Sequence, residues 1–115
     1  MSTTTHQAVT TTDAPAPVGP YNQAVQAGGW LYCSGQIPLD PATAEMVGGG
    51  DVEAETRQVL RNLQAVLTAA GTEASRVVRT TVYLVDLADF QAVNAIYAEM
   101  FGAGVSPARA CVQVA

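Results

Sequence analysis

Two stretches of the chain carry apolar residues at helical spacing, and each stretch is apolar on one face only. In the first they are Val52, Val59, Leu60, Leu63, Val66, Leu67 and Ala70, and in the second Phe90, Val93, Tyr97 and Met100. A helix with a single apolar face must cover that face by packing, and the strand-like segments elsewhere in the chain offer a sheet for it. The pattern therefore predicts two helices packed on a β-sheet.

The ends of both helices are marked in the sequence. Three acidic residues open the first helix, where they complement the helix dipole: Asp51, Glu53 and Glu55. Glu53 can pair with Arg57 one turn later. Gly71 follows the last apolar position of the first helix, and Gly102 follows that of the second. These residues predict where each helix begins and ends.

Five further segments are rich in β-branched or alternating residues, which is typical of strands. They span residues 6–12, 22–27, 30–37, 77–85 and 109–115. Gly28 and Gly29 separate the second segment from the third, and glycine tolerates the positive φ angles of a tight hairpin. The order of elements predicts an α+β fold in two layers, a mixed β-sheet with both helices on one face. The other face is then either solvated or buried in an oligomer.

The length of the chain indicates one domain. Its 115 residues are 49% apolar, which is enough to bury a single core. No internal repeat or linker divides it, so we treat residues 1–115 as one domain. We expect residues 1–5, MSTTT, to be flexible because they are polar and terminal.

Charge limits the partners that the chain can bind. Ten acidic residues stand against five basic ones, all of them arginines at scattered positions, for a formal net charge of −5 at pH 7. Such a surface repels nucleic-acid phosphates unless its cations gather on one face, so we predict no nucleic-acid partner. The chain has no lysine, which excludes a Schiff-base lysine, a pyridoxal-phosphate anchor and a Walker loop.

Cysteine and histidine are too few and too dispersed for metal or thiol chemistry. Cys33 and Cys111 lie in strand-like segments, where we interpret both as small buried side chains, and His6 is the only histidine. This distribution predicts no metal site and no base for a cysteine nucleophile. No segment has the length of a transmembrane helix or the composition of a secretory signal. We expect a cytoplasmic protein with reduced thiols and no membrane partner.

Arg109 is the residue that asks most for an explanation, because it lies between two alanines at the head of an apolar segment predicted as a buried strand. A guanidinium is costly to bury unless a carboxylate or phosphate engages its fork. On local evidence a structural ion pair is favoured over ligand binding. Cys111 lies two residues further along, so the two side chains share one face of the strand.

Four blocks of the sequence together carry a family resemblance. They are PVGPYNQAV (17–25), LYCSGQIP (31–38), RTTVYLVDLADFQAVNAIY (79–97) and SPARACVQVA (106–115). In this order they resemble the reactive-intermediate deaminase family, Rid, formerly YjgF, and its archetypal 2-iminobutanoate/2-iminopropanoate deaminase subgroup. The resemblance implies a chorismate-mutase-like fold, a homotrimer with ligand clefts between subunits, and no cofactor.

The resemblance also implies a reaction. Archetypal members hydrolyse 2-imino acids, such as 2-iminopropanoate and 2-iminobutanoate, to the 2-keto acid and ammonia. Pyridoxal-phosphate enzymes release these imines, and their removal protects other enzymes from a reactive metabolite. The implied ligand is a small 2-imino acid or 2-keto acid.

Two residues take catalytic roles by this match. Arg109 would clamp the substrate carboxylate bidentately and so orient C2, which would also explain a buried guanidinium without an internal acidic partner. Cys111 would act mainly through its backbone groups at the imine end, with the thiol as packing. Further substrate-binding positions match Tyr21, Ser34, Gly35 and Asn94. On local evidence the simpler explanations are favoured: Tyr21 as a half-buried aromatic, and Ser34 with Gly35 as the end of a strand. Asn94 is also explained by a polar position on a helix.

One catalytic element of the family has no match here. In the family, a glutamate on one more C-terminal strand is thought to hold the attacking water. The last acidic residue of this chain is Glu99, which lies on the second helix and does not match. We expect the final family strand to be missing, which leaves unpaired backbone groups and uncovered apolar side chains. Either the chain is a truncated form of a longer protein, which we favour because an apolar strand residue is an unusual terminus, or it is a natural variant that has lost part of its catalytic apparatus. We then expect carboxylate binding with much reduced turnover.

Two other functions stay open. A non-catalytic trimer that binds small carboxylates, or assists the folding of other proteins, would use the same arginine. A ribonuclease or inhibitor of translation, as attached to some relatives, is disfavoured by the scattered arginines and the net negative charge.

Overall fold

The computed structural model describes residues 5–115. Within that range the elements follow the predicted order. The strands are β1 (Gln7–Val9), β2 (Ala24–Ala27), β3 (Trp30–Cys33), β4 (Arg79–Leu84) and β5 (Ala108–Gln113). The helices are α1 (Val52–Ala69) and α2 (Phe90–Phe101). The α+β class is confirmed, whereas the prediction of a flexible start falls mainly on residues 1–4, which lie outside the described range.

The ends of α1 are set by local chemistry, as predicted. The Asp51 side chain accepts hydrogen bonds from the backbone N–H of Glu53 at 3.0 Å and of Ala54 at 3.4 Å. These bonds satisfy donors that the first turn of a helix leaves free. At the other end Gly71 has a φ of 78°, a left-handed conformation in which the helix cannot continue.

Arg57 forms an ion pair with Glu99 of the second helix and not with Glu53, the partner predicted one turn earlier on α1. Its Nη1 lies 3.1 Å from Oε1 of Glu99, which is on α2. The hydrogen bond and charge of Glu99 raise the pKa of Arg57. The predicted partner Glu53 forms no ion pair with it, because α1 packs against α2 and brings a better-placed carboxylate within reach.

The hairpin between β2 and β3 is confirmed. The two strands pair antiparallel, with Ala27 opposite Trp30, so that two glycines form the turn. Gly28 and Gly29 have φ angles of 59° and 81°. Positive φ at both central residues is the turn geometry that matches the twist of the flanking strands.

Substitution of Gly28 tests this turn. We expect Gly28→Val to lower the free energy of unfolding by about 1–2 kcal/mol, because a β-branched side chain is strained at positive φ. Gly28→Asn should cost less than about 0.5 kcal/mol, because asparagine tolerates the left-handed region. Urea denaturation measures both values. Equal losses in the two variants would contradict the role assigned to the backbone angle.

The strands form two sheets with a gap between them. β1, β2 and β3 pair antiparallel, and β4 and β5 pair parallel. Both strand directions predicted for a mixed sheet are thus present, but the strands form two separate sheets and not one. A cavity of about 1590 Å³ lies between residues 30–38, which include β3, and residues 76–84, which include β4. The facing edges of β3 and β4 have no strand partner among residues 5–115.

The cavity also explains a difference on α1. The helix buries Val66 and Leu67 as predicted, but it also buries the polar residues Gln58 and Asn62. Three apolar residues predicted on the covered face are only half-buried and line the cavity: Val59, Leu60 and Leu63. The apolar stripe of α1 is therefore covered at one end and open in its middle.

Buried residues occupy two regions. One cluster joins Val9, Ala14, Ala24 and Val66, from β1, β2, α1 and the loop after β1. The other buried residues of the second half are Leu84 on β4 and Val93, Ile96 and Phe101 on α2. Each sheet thus has its own helix to pack on, as the single apolar faces required.

One face of both sheets is uncovered. Strand alternation places Trp30, Tyr32, Tyr83 and Val112 on the face opposite the helices, where their exposed fractions are 57%, 63%, 67% and 41%. An aromatic surface of this kind is unusual on a free sheet face. In the part of the chain that the structure describes, no helix is long and apolar enough to cross a membrane.

Candidate functional site

β5 forms as predicted, but it is not buried. It pairs with β4 in parallel, with Arg109 opposite Thr80. None of its residues is buried, and Arg109 and its neighbour Ala108 are exposed. The prediction of a buried guanidinium is therefore wrong for the single chain, because β4 is the only strand beside β5 within residues 5–115 and the outer edge of β5 is open.

Arg109 is held by side chains of α2. Its Nη1 donates a hydrogen bond to Oδ1 of Asn94 at 2.6 Å. Its Cζ lies 4.8 Å from the centre of the Tyr97 ring and 5.3 Å from that of the Phe90 ring. Both distances are within the range of cation–π attraction. We call Arg109, Asn94, Phe90 and Tyr97 the arginine site.

The sequence of α2 places these three partners together. Phe90, Asn94 and Tyr97 are spaced by four and three residues, so they lie along one face of the helix. Tyr97 is fixed at both ends: its hydroxyl lies 2.6 Å from Oγ1 of Thr80, and its ring centre lies 4.6 Å from that of Phe101. The arginine site therefore joins β4, α2 and β5.

No acid neutralises Arg109. Among residues 5–115 the one ion pair joins Arg57 to Glu99, and no carboxylate contacts the guanidinium of Arg109. The structural ion pair that local sequence favoured is thus not formed. Asn94 and the two rings hold the group in place without cancelling its charge, which leaves other N–H donors of the fork for an anion.

Cys111 is two residues beyond Arg109 on the same face of β5 and is half-buried. The N–H groups of Ala108 and Val114 donate to carbonyls of the β4 side. Because backbone bonding alternates along a parallel strand, the N–H and C=O of Cys111 point away from β4, to the outer edge. Backbone groups and a guanidinium therefore lie close together along one strand.

Tyr21, Ser34 and Gly35 meet elsewhere. They line a cavity of about 60 Å³ between the loop before β2 and the loop after β3. The Ser34 hydroxyl donates to the carbonyl of Asn22 at 2.6 Å, and the Tyr21 hydroxyl accepts from the N–H of Val18 at 3.2 Å. We call this group the Tyr21 pocket.

A buried amide fixes the first wall of this pocket. Gln23 is 3% exposed, and its Nε2 donates to the carbonyls of Thr11, Ala14 and Pro15 at 2.9, 3.2 and 2.9 Å. A buried side chain that satisfies three carbonyls holds the loop around it in one conformation. Hydrogen bonds of the buried Gln23 side chain therefore fix the loop that carries Tyr21.

A second buried amide fixes the other wall. Asn62 of α1 is 1% exposed, and its Nδ2 donates to the carbonyls of Ile37 at 3.1 Å and Leu39 at 2.9 Å. Its Oδ1 accepts from Nε2 of Gln58 at 2.9 Å. The segment that follows Ser34 and Gly35 is thereby tied to the helix.

Within residues 5–115 the six predicted site residues form two separate groups. Asn94, Arg109 and Cys111 belong with β5 and α2, and no hydrogen bond links them to the Tyr21 pocket. Arg109 lines neither of the two cavities described. Ser34 and Gly35 nevertheless line the larger cavity together with Tyr97 of the arginine site, so one space borders part of each group.

Cys33 and a cluster of metal ligands are two further sites that titratable side chains could form. Cys33 is free and exposed rather than buried as predicted, because it lies at the open edge of β3. Partial desolvation raises the pKa of its thiol, which disfavours the thiolate that a nucleophile needs. Nowhere between residues 5 and 115 do three His, Cys, Asp or Glu side chains gather where a metal ion could bind.

Sequence reasoning missed the roles of Phe90 and Tyr97. It placed both on the apolar face of the second helix, as core residues. Asn94 was the available signal, since it is a polar residue on the helical face that Phe90 and Tyr97 share. The partner strand, however, could be identified only from the register of β5.

Comparison with known proteins places this geometry in a family. The model of the family described as Endoribonuclease L-PSP matches residues 11–115. The 2-iminobutanoate/2-iminopropanoate deaminase of Mus musculus is 50% identical over 115 residues, covering 100% of this chain and 84% of the relative.

Solved structures agree in fold. The Rid family protein YyfA of Yersinia pestis superposes with a TM-score of 0.92 at 43% identity, covering 96% of this chain and 86% of that one. TdcF of E. coli, solved with bound serine, gives a TM-score of 0.87 at 37% identity, covering 94% and 85%. The four sequence blocks, the fold and these matches agree: the chain belongs to the Rid family, formerly YjgF.

Proposed function

We propose that this protein hydrolyses small 2-imino acids, such as 2-iminopropanoate and 2-iminobutanoate, to the 2-keto acid and ammonia. The observation that carries the proposal is the uncompensated charge of Arg109, held in place by Asn94 and two aromatic rings. A fixed cationic fork without an acidic partner suits the carboxylate that every such substrate carries. The deaminase named for the mouse relative supports the same substrate class.

Binding through Arg109 orients the reacting carbon. A bidentate pair between guanidinium and carboxylate fixes the plane of the substrate, and C2 is bonded directly to that carboxylate. Water then adds to C2 of the C=N bond, and collapse of the adduct releases ammonia and leaves the keto group. Cys111 contributes its backbone N–H and C=O, at the outer edge of β5, to the nitrogen end of the ligand.

The Tyr21 pocket supplies the second wall of the site in this proposal. Since it does not meet Arg109 within one chain, we propose a homotrimer whose clefts bring the pocket of one subunit to the arginine site of its neighbour. The uncovered aromatic face around Trp30, Tyr32 and Tyr83 supports such an assembly, because apolar area of this kind is stabilised by burial. The site needs no metal or cofactor in this mechanism.

An assay of imine decay tests the proposal. Threonine dehydratase generates 2-iminobutanoate, and formation of 2-oxobutanoate is followed with and without the purified protein while semicarbazide competes for the imine. We expect the protein to reduce the semicarbazone fraction in proportion to its concentration. Decay at the spontaneous rate at every protein concentration would refute the catalytic function.

A second candidate is a non-catalytic binder of small carboxylates. It is favoured by one observation: none of the acidic side chains described here contacts the arginine site, so none is in place to activate water. Calorimetric titration with 2-oxobutanoate separates the candidates, because binding without accelerated imine decay supports the binder. The scattered arginines and the net charge of −5 disfavour a function in which the protein binds or cleaves RNA.

A further inference from the structure

We propose that Tyr97, together with Phe90, is a positioning residue that fixes the guanidinium of Arg109 for its ligand. The inference deepens the proposed function and rests on it, since it concerns the group that binds the carboxylate. Neither ring touches the carboxylate in this proposal. Both act through Arg109.

The contacts of Arg109 leave its orientation to the rings. The side chain is exposed, and an exposed arginine loses much conformational freedom when it is held in one position. One hydrogen bond to Asn94, at 2.6 Å, fixes one nitrogen but permits rotation about that contact. The rings, at 4.8 and 5.3 Å from Cζ, restrict the remaining freedom.

Tyr97 is the better fixed of the two rings. Phe101, which is 3% exposed, stacks against it at 4.6 Å between ring centres. Thr80 anchors its hydroxyl at 2.6 Å, and Thr80 is also the residue opposite Arg109 in the β4–β5 ladder. The Tyr97 ring is therefore held by the buried side of α2 and by β4, the strand beside Arg109. Because the ring is fixed relative to both elements, it holds the guanidinium at a fixed place beside them.

This arrangement separates two properties that an acidic partner would combine. A carboxylate would position Arg109 but would also occupy its fork and compete with the ligand. Aromatic rings attract the cation through their faces and offer no acceptor for its N–H groups. Tyr97 and Phe90 thus position the fork and leave it free.

Comparison of Tyr97→Leu with Tyr97→Phe tests the inference. The phenylalanine variant keeps the ring and loses only the contact with Thr80, whereas the leucine variant loses the ring. We expect the dissociation constant for 2-oxobutanoate to rise about tenfold in Tyr97→Leu and less than about threefold in Tyr97→Phe. Gln91→Leu, an exposed position on the same helix, serves as the control and should leave the constant unchanged.

A second measurement reads the position of Arg109 without a ligand. In the NMR spectrum of the free protein, the side-chain signals of Arg109, assigned with Arg109→Lys, should carry a ring-current shift and a high order parameter. We expect both to persist in Tyr97→Phe and to be clearly reduced in Tyr97→Leu, where only the Phe90 ring remains beside Arg109. If Tyr97→Leu does not fold, Phe90→Leu replaces it, since Phe90 is further from the buried Phe101 contact.

The two measurements distinguish the two proposals. Unchanged NMR signals in the leucine variant would overturn the positioning role whatever the protein binds. If the wild-type protein binds no 2-oxobutanoate, the proposed function fails, and the NMR comparison alone decides whether the rings position Arg109. Equal weakening of binding in Tyr97→Phe and Tyr97→Leu would also overturn the role of the ring.

Discussion

Arg109→Ala is expected to abolish carboxylate binding and imine hydrolysis while leaving the fold intact. The substitution removes two charge-assisted hydrogen bonds to the ligand, and each contributes about 1.5–3 kcal/mol. The value of kcat/KM for 2-iminobutanoate should therefore fall by about a hundredfold or more. Thermal unfolding should change little, because Arg109 is exposed and has no ion pair among residues 5–115.

Two variants sharpen this result. Arg109→Lys keeps the charge but not the planar fork, so it should recover only part of the lost activity. Arg61→Ala removes the same charge from an exposed residue of α1 that lines neither cavity, and it should leave kcat/KM unchanged. Full activity in Arg109→Ala would remove the basis of the proposed function.

Asn62→Leu is expected to have the largest effect on stability. The leucine is of similar size but leaves the carbonyls of Ile37 and Leu39 and the amide of Gln58 without their partner. Each unsatisfied group costs about 1–3 kcal/mol when buried, and the two carbonyls are only partly buried. We therefore expect a loss of about 3 kcal/mol, a large share of the stability of a typical domain.

Thermal and urea unfolding measure this loss, and the melting temperature should fall by about 10 °C. Gln64→Leu is the matched control, since Gln64 is an exposed residue on the same helix. Its effect should stay below about 0.5 kcal/mol. Similar small effects in both variants would show that the Asn62 hydrogen bonds are replaced by water and do not tie the loop to α1.

Local elements of the fold were predictable because local chemistry determines them. The Gly28–Gly29 hairpin requires positive φ angles that glycine adopts freely, and the Asp51 cap and Gly71 end bound α1 by backbone hydrogen bonding. These signals are contained in a few consecutive residues. The element order followed from them directly.

Side-chain burial on α1 was predicted less well. Hydrophobic spacing selected Val59 and Leu63 for the covered face, but the structure buries Gln58 and Asn62. The reason is that the carbonyls of Ile37 and Leu39 need donors, and a periodicity count does not include the needs of a distant loop. Arg57 is a similar case, because its partner Glu99 lies on another helix.

In the candidate site, too, some features were predictable from the sequence and others were not. The resemblance pointed to Arg109 and Asn94, and the structure brings them to 2.6 Å. The ligand-binding roles of all six residues stay predictions, since they depend on a ligand and a neighbouring subunit: Tyr21, Ser34, Gly35, Asn94, Arg109 and Cys111. The tertiary contact of Tyr97 with β4 and β5 depends on register, which short sequence patterns do not encode.

The division of the strands into two sheets also affects where the molecule can open by local unfolding. β1, β2 and α1 share one buried cluster, β4 and β5 pair with each other, and no continuous hydrogen-bond ladder crosses between the two sheets within residues 5–115. The packing of α1 against α2, with the ion pair between Arg57 and Glu99, is therefore the main connection between the half that holds β1–β3 and the half that holds β4 and β5, and local opening there would separate them. The arginine site and the Tyr21 pocket lie in different halves, so the order of one does not guarantee the order of the other.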